Sequence, residues 1–265
     1  MMGVMKPFRA CALILIILIS SSAMAREPVG DLLEGVNPGP DGMIDVLTVF
    51  SHQDDETIYG GGAVLKAMQD PRVRLYILCM TFDQTSGAKD RLEITPDHIG
   101  RIRAEELETA AAVYGATEVI QFKYASRTLG SVAPEKLISE IKEVIDRVGA
   151  EIVITHDPVG FTGHWDHVTC SRAATEAFHR SNADVLYYPS LPMWLYRMLI
   201  AASPYEFEAE PVGPDFMVDI RPVKKLKRMA CYAHASQMQF TGVGWQTDLI
   251  LLKRYEHFAR VVKNR

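Results

Sequence analysis

Short apolar runs rich in β-branched residues recur along the chain, and between them lie stretches whose apolar positions repeat every three to four residues. Ile44–Ser51 is the first such run and reads as a buried strand, preceded by a Gly/Pro-rich entry at 35–42. Gly60-Gly61-Gly62, a helix over Ala63–Gln69 and a second strand over Val73–Met80 complete a β-α-β unit. Phe82–Asp97 is polar, contains Gly87 and Pro96, and reads as a loop. A helix is expected from His98 to Tyr114 with Gly115 as its stop, then a short strand over Val119–Phe122. Pro134 opens a helix over Glu135–Val148 that Gly149 ends, and Glu151–Thr155 is a strand. Val168–Arg180 has helical spacing and Val185–Tyr188 reads as a strand. Pro189–Pro214 is aromatic and punctuated by proline; within it Trp194–Ile200 reads as core in preference to a lid or a lipid-contacting patch. Phe216–Ile220 suggests an edge strand, Lys224–Gln237 an amphipathic helix, and Gln246–Val262 a closing helix with basic residues near its C-terminal end.

Strands alternating with helices imply an α/β fold, Rossmann-like and three-layered, with a mostly parallel central sheet. In such sheets ligands bind outside the C-terminal ends of the strands. Lys6 and Arg9, the apolar run Ala10–Ile19 and the small residues up to Ala25 read as a secretory signal cleaved after Ala25, so the protein is expected to be periplasmic or extracellular. That apolar run is well short of the ~20 residues that cross a bilayer, which favours a cleaved signal over a retained anchor and makes membrane contact the lesser alternative. Residues 26–265 have the length and composition of one globular domain, with 48% apolar and 23% charged residues over the whole chain. Beyond the signal 26 basic residues face 33 acidic ones, a balance that argues against a nucleic-acid footprint. Cys79, Cys170 and Cys231 are too few and too scattered for a disulfide framework.

Chemistry concentrates in two clusters at strand ends. His52-Gln53-Asp54-Asp55-Glu56 begins where the first strand ends, and His164-Trp165-Asp166-His167 follows soon after the strand that closes on Thr155. Histidine and carboxylate are the ligands of catalytic zinc, which takes three protein donors at roughly 2.0–2.2 Å and keeps a fourth position for water. The remaining carboxylate and imidazole can serve as an acid/base pair. His164 and His167, three apart in the first turn of a helix, project from one face. Residue types alone leave open which of these are ligands. Nearby polar residues carry plainer readings too: Arg103 as a solvated partner of Glu105 and Glu106, His234 as a helix-end residue, and Trp165 as packing between helices, favoured over stacking on a sugar. A phosphate cradle at Gly60–Gly62 is weak beside the need for close backbone approach.

With Arg103-Ala-Glu-Glu106, Thr155-His-Asp-Pro158, Val218-Asp-Ile220 and His234-Ala-Ser-Gln237, the two clusters resemble the PIG-L/LmbE-like family of zinc-dependent N-acetylglucosamine deacetylases. The family's motifs are His-Pro-Asp-Asp-Glu and His-Pro-Asp-His; here Gln53 and Trp165 replace the prolines. The resemblance implies that His52, Asp55 and His167 hold the metal, that Asp54 is the general base, and that His164 is electrophile and proton donor. Asp166 is expected to orient His164, and Arg103, Asp157, Trp165 and His234 to stand on the substrate side. It implies Zn2+, with Fe2+ or Co2+ as chemically compatible ions, and removal of the acetyl group from an N-acetylglucosamine-type sugar or glycoconjugate. A metal hydrolase of another amide or acyl group, or a non-catalytic carbohydrate-binding protein that keeps the metal, are the alternatives; a binder would need neither Asp54 nor His164.

Overall fold

The computed structural model describes residues 27–202, 207, 209–238 and 253–263. The signal segment and residues 246–252 of the expected closing helix lie outside the described residues. Chain order runs β1 (Ile44–Phe50), α1 (Asp55–Ile58), α2 (Gly61–Ala67), β2 (Val73–Thr81), α3 (Pro96–Tyr114), β3 (Glu118–Tyr124), α4 (Pro134–Val148), β4 (Ile152–Thr155), α5 (Trp165–Arg180), β5 (Val185–Ser190), α6 (Met193–Ala202), β6 (Phe216–Asp219), α7 (Lys224–Ala233) and β7 (Tyr255–Val262). The seven strands form one sheet in the order β3-β2-β1-β4-β5-β7-β6. β3 to β5 are parallel, while β7 runs antiparallel to both β5 and β6.

Every residue of β1 is buried, because the sheet is covered on both faces. Val46 and Phe50 pack toward α2 and α3 with Leu107, Ala111 and Tyr114, whereas Leu47 and Val49 pack toward α4 and α5 with Ile141, Ile145, Ala174 and Phe178. Period-two alternation along the strand thus feeds two cores at once. Both expected stops hold: Gly115 and Gly149 each take φ 70°, the left-handed geometry that ends a helix most cheaply at glycine. At the start of α3, Thr95 accepts the amide of His98 and Pro96 sits in the first turn, two residues before the expected start. The polar stretch before it contains a helical turn at Ala88–Arg91. A Cβ on Gly61 would lie 2.2 Å from the Tyr114 hydroxyl, so the glycine run serves close approach of α2 to α3.

Two expectations need correction. Lys224–Gln237 is not one helix: α7 stops at Ala233, His234 is non-helical, and Ala235–Met238 forms a separate turn. The described part of the closing helix is strand β7. Tyr255, Phe258 and Val261 are three apart and mimic a helical face, but the open edge of β5 offers a ladder and takes them. Burial at Glu256 and Phe258 shows the true period of two. Glu256 is buried because it accepts the amides of Gly62 (3.2 Å) and Ala63 (2.8 Å) and pairs with buried Lys227, tying the last strand to α2 and α7. Within Trp194–Ile200, expected to be core, Tyr196 alone is fully buried, Arg197 at the centre is exposed and the other residues are half-buried. Among the described residues no helix is long and apolar enough to cross a membrane, and Cys79, Cys170 and Cys231 are free and buried.

Candidate metal centre

Sheet order reverses between β1 and β4, since β2 and β3 lie on one side and β5 on the other. Such a switch point opens a crevice at the strand C-termini, and both clusters stand there. Past β1 the chain turns sharply through Asp54, whose φ of 106° is far outside the usual range for aspartate. Geometry of this kind costs on the order of 1–3 kcal/mol and persists only where neighbours hold it. The His52 amide donates to Asp55 Oδ2 (2.8 Å) and the Asp54 amide to Glu56 Oε2 (3.0 Å), so the turn is braced by its own carboxylates. Past β4, positive φ at Gly160, Phe161 and Gly163 folds the chain back onto α5, and a Cβ on Gly160 would lie 2.8 Å from that of His167.

Hydrogen bonds assign the ring nitrogens. His167 Nδ1 lies 3.0 Å from the Gly160 carbonyl and must donate to it, which leaves the lone pair on Nε2. His52 Nε2 donates to Asp166 Oδ2 at 3.1 Å, which turns Nδ1 inward. These two inward nitrogens are 3.0 Å apart, with Asp55 Oδ2 at 3.5 Å from His52 Nδ1 and 3.4 Å from His167 Nε2. The ring planes meet at 53°, so their in-plane lone pairs can converge. Three donors of this kind aimed at one point fit a divalent cation. A proton is drawn to the same point: although burial opposes it, hydrogen bonds to Asp166 and Asp55 raise the His52 pKa to about 10. Cation and proton compete for that nitrogen.

Asp55, His156 and His167 also bring one ligand atom each within 4.8 Å of one another. His156 Nε2 lies 3.3 Å from Asp55 Oδ2, but its ring stacks on His167 at 4.1 Å and 8°. Lone pairs in parallel planes do not meet at one ion, and the Ser51 amide already donates to His156 Nε2 at 3.2 Å. His156 packs behind the site.

His164 caps α5, its Nδ1 accepting the Asp166 amide at 3.2 Å. The neutral ring therefore carries its proton on Nε2, and burial, followed by the charge of His52, lowers its pKa. Its ligand-type nitrogens lie within 4.8 Å of those of His52 and His167. Asp54, on the other side, keeps part of its side chain accessible, with Oδ1 3.2 Å from Arg103 Nη2. Burial pushes its carboxyl up to about 7, against the pull of Arg103.

Several expected roles change place. Asp166 orients His52, not His164, because the cap folds the His164 ring over the backbone and leaves the Asp166 carboxylate facing His52 and the amides of Arg127 and Leu129. Arg103 is not a solvated pair: it is 3% exposed and bonds Asp54, Asp83 and the Gln53 carbonyl. Asp157 is fully buried, with its oxygens taken by the Phe161 amide (2.6 Å) and the Tyr196 hydroxyl (2.8 Å), so it shapes the turn instead of walling the pocket. His234 is 2% exposed and lies behind Glu56. Trp165, expected to pack, is 55% exposed beside the cap and borders Phe207 and Ala209. Glu56 and Asp83 received no role from the sequence; Glu56 stood inside the first motif, but its partner His234 is remote in sequence and no local pattern joins them.

Comparison with known proteins bears on this arrangement. Residues 47–178, which hold both clusters, match the family model described as PIG-L, GlcNAc-PI de-N-acetylase. A protein of Schizosaccharomyces pombe named as a probable N-acetylglucosaminyl-phosphatidylinositol de-N-acetylase is 23% identical over 221 residues, covering 79% of this chain and 83% of its own length. Among solved structures, N,N'-diacetylchitobiose deacetylase from Pyrococcus horikoshii matches with a TM-score of 0.63 at 19% identity, over 97% of this chain and 95% of that one. GalB, a 4-carboxy-2-hydroxymuconate hydratase from Pseudomonas putida, matches with a TM-score of 0.59 at 18% identity, over 84% and 98%. At these identities the structural matches speak for the fold, and the fold hosts more than one reaction.

Proposed function

The chain belongs to the PIG-L/LmbE-like deacetylase family, and from that premise we propose that it is a metal-dependent hydrolase that removes the N-acetyl group from an N-acetylglucosamine-type sugar or glycoconjugate, releasing acetate and a free amine. The observation that carries the reading is the convergence of His52 Nδ1, Asp55 Oδ2 and His167 Nε2 on one point. A base carboxylate, Asp54, and an imidazole cap, His164, flank that point. Zn2+ suits the donor set, as do Fe2+ and Co2+, and the bound ion would polarise the acetamide carbonyl and acidify water.

The chain's own residues do the rest. Asp54 takes the proton of the attacking water at its free carboxylate oxygen and is held in place by Arg103. His164 donates a hydrogen bond from Nε2 to the carbonyl oxygen as charge develops there, and the proton that Asp54 takes from water is the one that passes to the departing nitrogen as the C–N bond breaks. Asp166 holds the His52 ring through Nε2. Trp165 gives an exposed aromatic face on which a sugar can stack. Export with cleavage after Ala25 belongs to the same proposal and is supported by the pattern of the first 25 residues.

Acetate release from N-acetylglucosamine, N,N'-diacetylchitobiose and N-acetylglucosaminyl-phosphatidylinositol tests it. The metal-loaded protein is expected to deacetylate at least one of them, and sequencing of the exported form is expected to begin at Arg26. Failure on all three substrates would leave hydrolysis of a different amide or acyl group as the better reading.

A further inference from the structure

The segment His234–Gln237, at the break after α7, faces no open part of the site, yet its polar residues reach three different pieces of it. His234 Nε2 lies 2.8 Å from Glu56 Oε1, and the other oxygen of Glu56 accepts the amide of Asp54 at 3.0 Å. Burial works against charge on both partners, but each holds the other ionised: the Glu56 pKa is lowered and the His234 pKa raised. Ser236 gives its amide (2.6 Å) and hydroxyl (2.7 Å) to Glu106, three residues along α3 from Arg103. Gln237 Nε2 donates to Ser86 Oγ at 3.0 Å, in the loop that carries Asp83. Asp54, Arg103 and Asp83 form the ion-paired acidic side of the site.

We propose that His234–Gln237 is a positioning segment that aims the Asp54 carboxylate from behind, with the His234–Glu56 pair as its main strut. An aspartate at φ 106° stays there only if its surroundings fix it. Glu56 holds the amide on one side of that residue, Arg103 holds the carboxylate on the other, and the segment joins the two supports. None of its contacts reaches a metal-facing atom, so it acts on the base and leaves the ion alone. The kinetic part of this inference rests on the deacetylase reading; the geometric part does not.

The test uses the full metal-loaded protein with His234→Ala, His234→Gln and Ser236→Ala. His234→Ala is expected to lower kcat for acetate release about 10- to 100-fold, the scale of a misaimed catalytic group, with KM and metal content unchanged. His234→Gln, whose amide can donate to Glu56, is expected to recover most of it. Amide exchange over residues 52–58 should quicken in His234→Ala and return in His234→Gln, while α4 stays protected in both. Ser236→Ala, which deletes one hydroxyl, should show the same pattern more weakly and serves if His234→Ala does not fold. Unchanged kcat, a rise confined to KM, or loss of metal along with activity would each overturn the proposal. If the native protein cleaves no acetamide, the deacetylase reading fails and exchange over 52–58 alone decides: unchanged exchange overturns the strut, and quickened exchange rescued by glutamine sustains it.

Discussion

Replacing His167 with alanine is expected to empty the metal centre and lower acetate release by more than about 1,000-fold, with the fold retained. His167 supplies one of the three converging donors, and its loss leaves His52 Nδ1 and Asp55 Oδ2 to hold a cation alone. Losing the ion removes both carbonyl polarisation and the acidification of water, which together account for a drop of that size. The structural cost is smaller: the Gly160 carbonyl loses its donor, worth about 1–3 kcal/mol if it stays buried. Two comparisons make the ligand set specific. Asp166→Ala should weaken metal affinity about 10- to 100-fold, because it frees the far nitrogen of His52. His156→Phe should keep the metal, because that ring stacks on His167 and spends its Nε2 lone pair on the Ser51 amide. Elemental analysis and chelator competition read all three; a His167→Ala protein that keeps its full metal content would sink the assignment.

Where the sequence was legible, the deciding physics was local. Gly115 and Gly149 end their helices because each takes a left-handed geometry, and β1 reads as a buried strand because both its faces are covered. His52, Asp55 and His167 come together because their two strands adjoin in a parallel sheet. Illegible features depended on partners distant along the chain. Nothing near Tyr255 says that the edge of β5 awaits it, so the spacing of three misled. Arg103 sits beside two glutamates in sequence but folds against Asp54 and Asp83. Asp166 is adjacent to His164's side of the motif, yet capping geometry turns it to His52, a choice made by one backbone amide.

Asp54→Asn should keep the metal and the turn while lowering kcat about 100- to 10,000-fold, the range set by loss of a general base. Asparagine suits this test better than alanine. It tolerates left-handed geometry better than most residues, so a backbone at φ 106° need not relax. Its amide oxygen can still accept from Arg103, which also remains anchored to Asp83. What asparagine cannot do at neutral pH is take a proton from water. A loss confined to kcat, with metal content and KM close to native, therefore isolates proton transfer from binding. Retention of more than about a tenth of native kcat would move the base to another group, and the carboxylate of Asp54 would then be only the counter-charge of Arg103. If metal were lost along with kcat, Asp54 would belong to the ligand set, and the division of work between two adjacent aspartates would have to be redrawn.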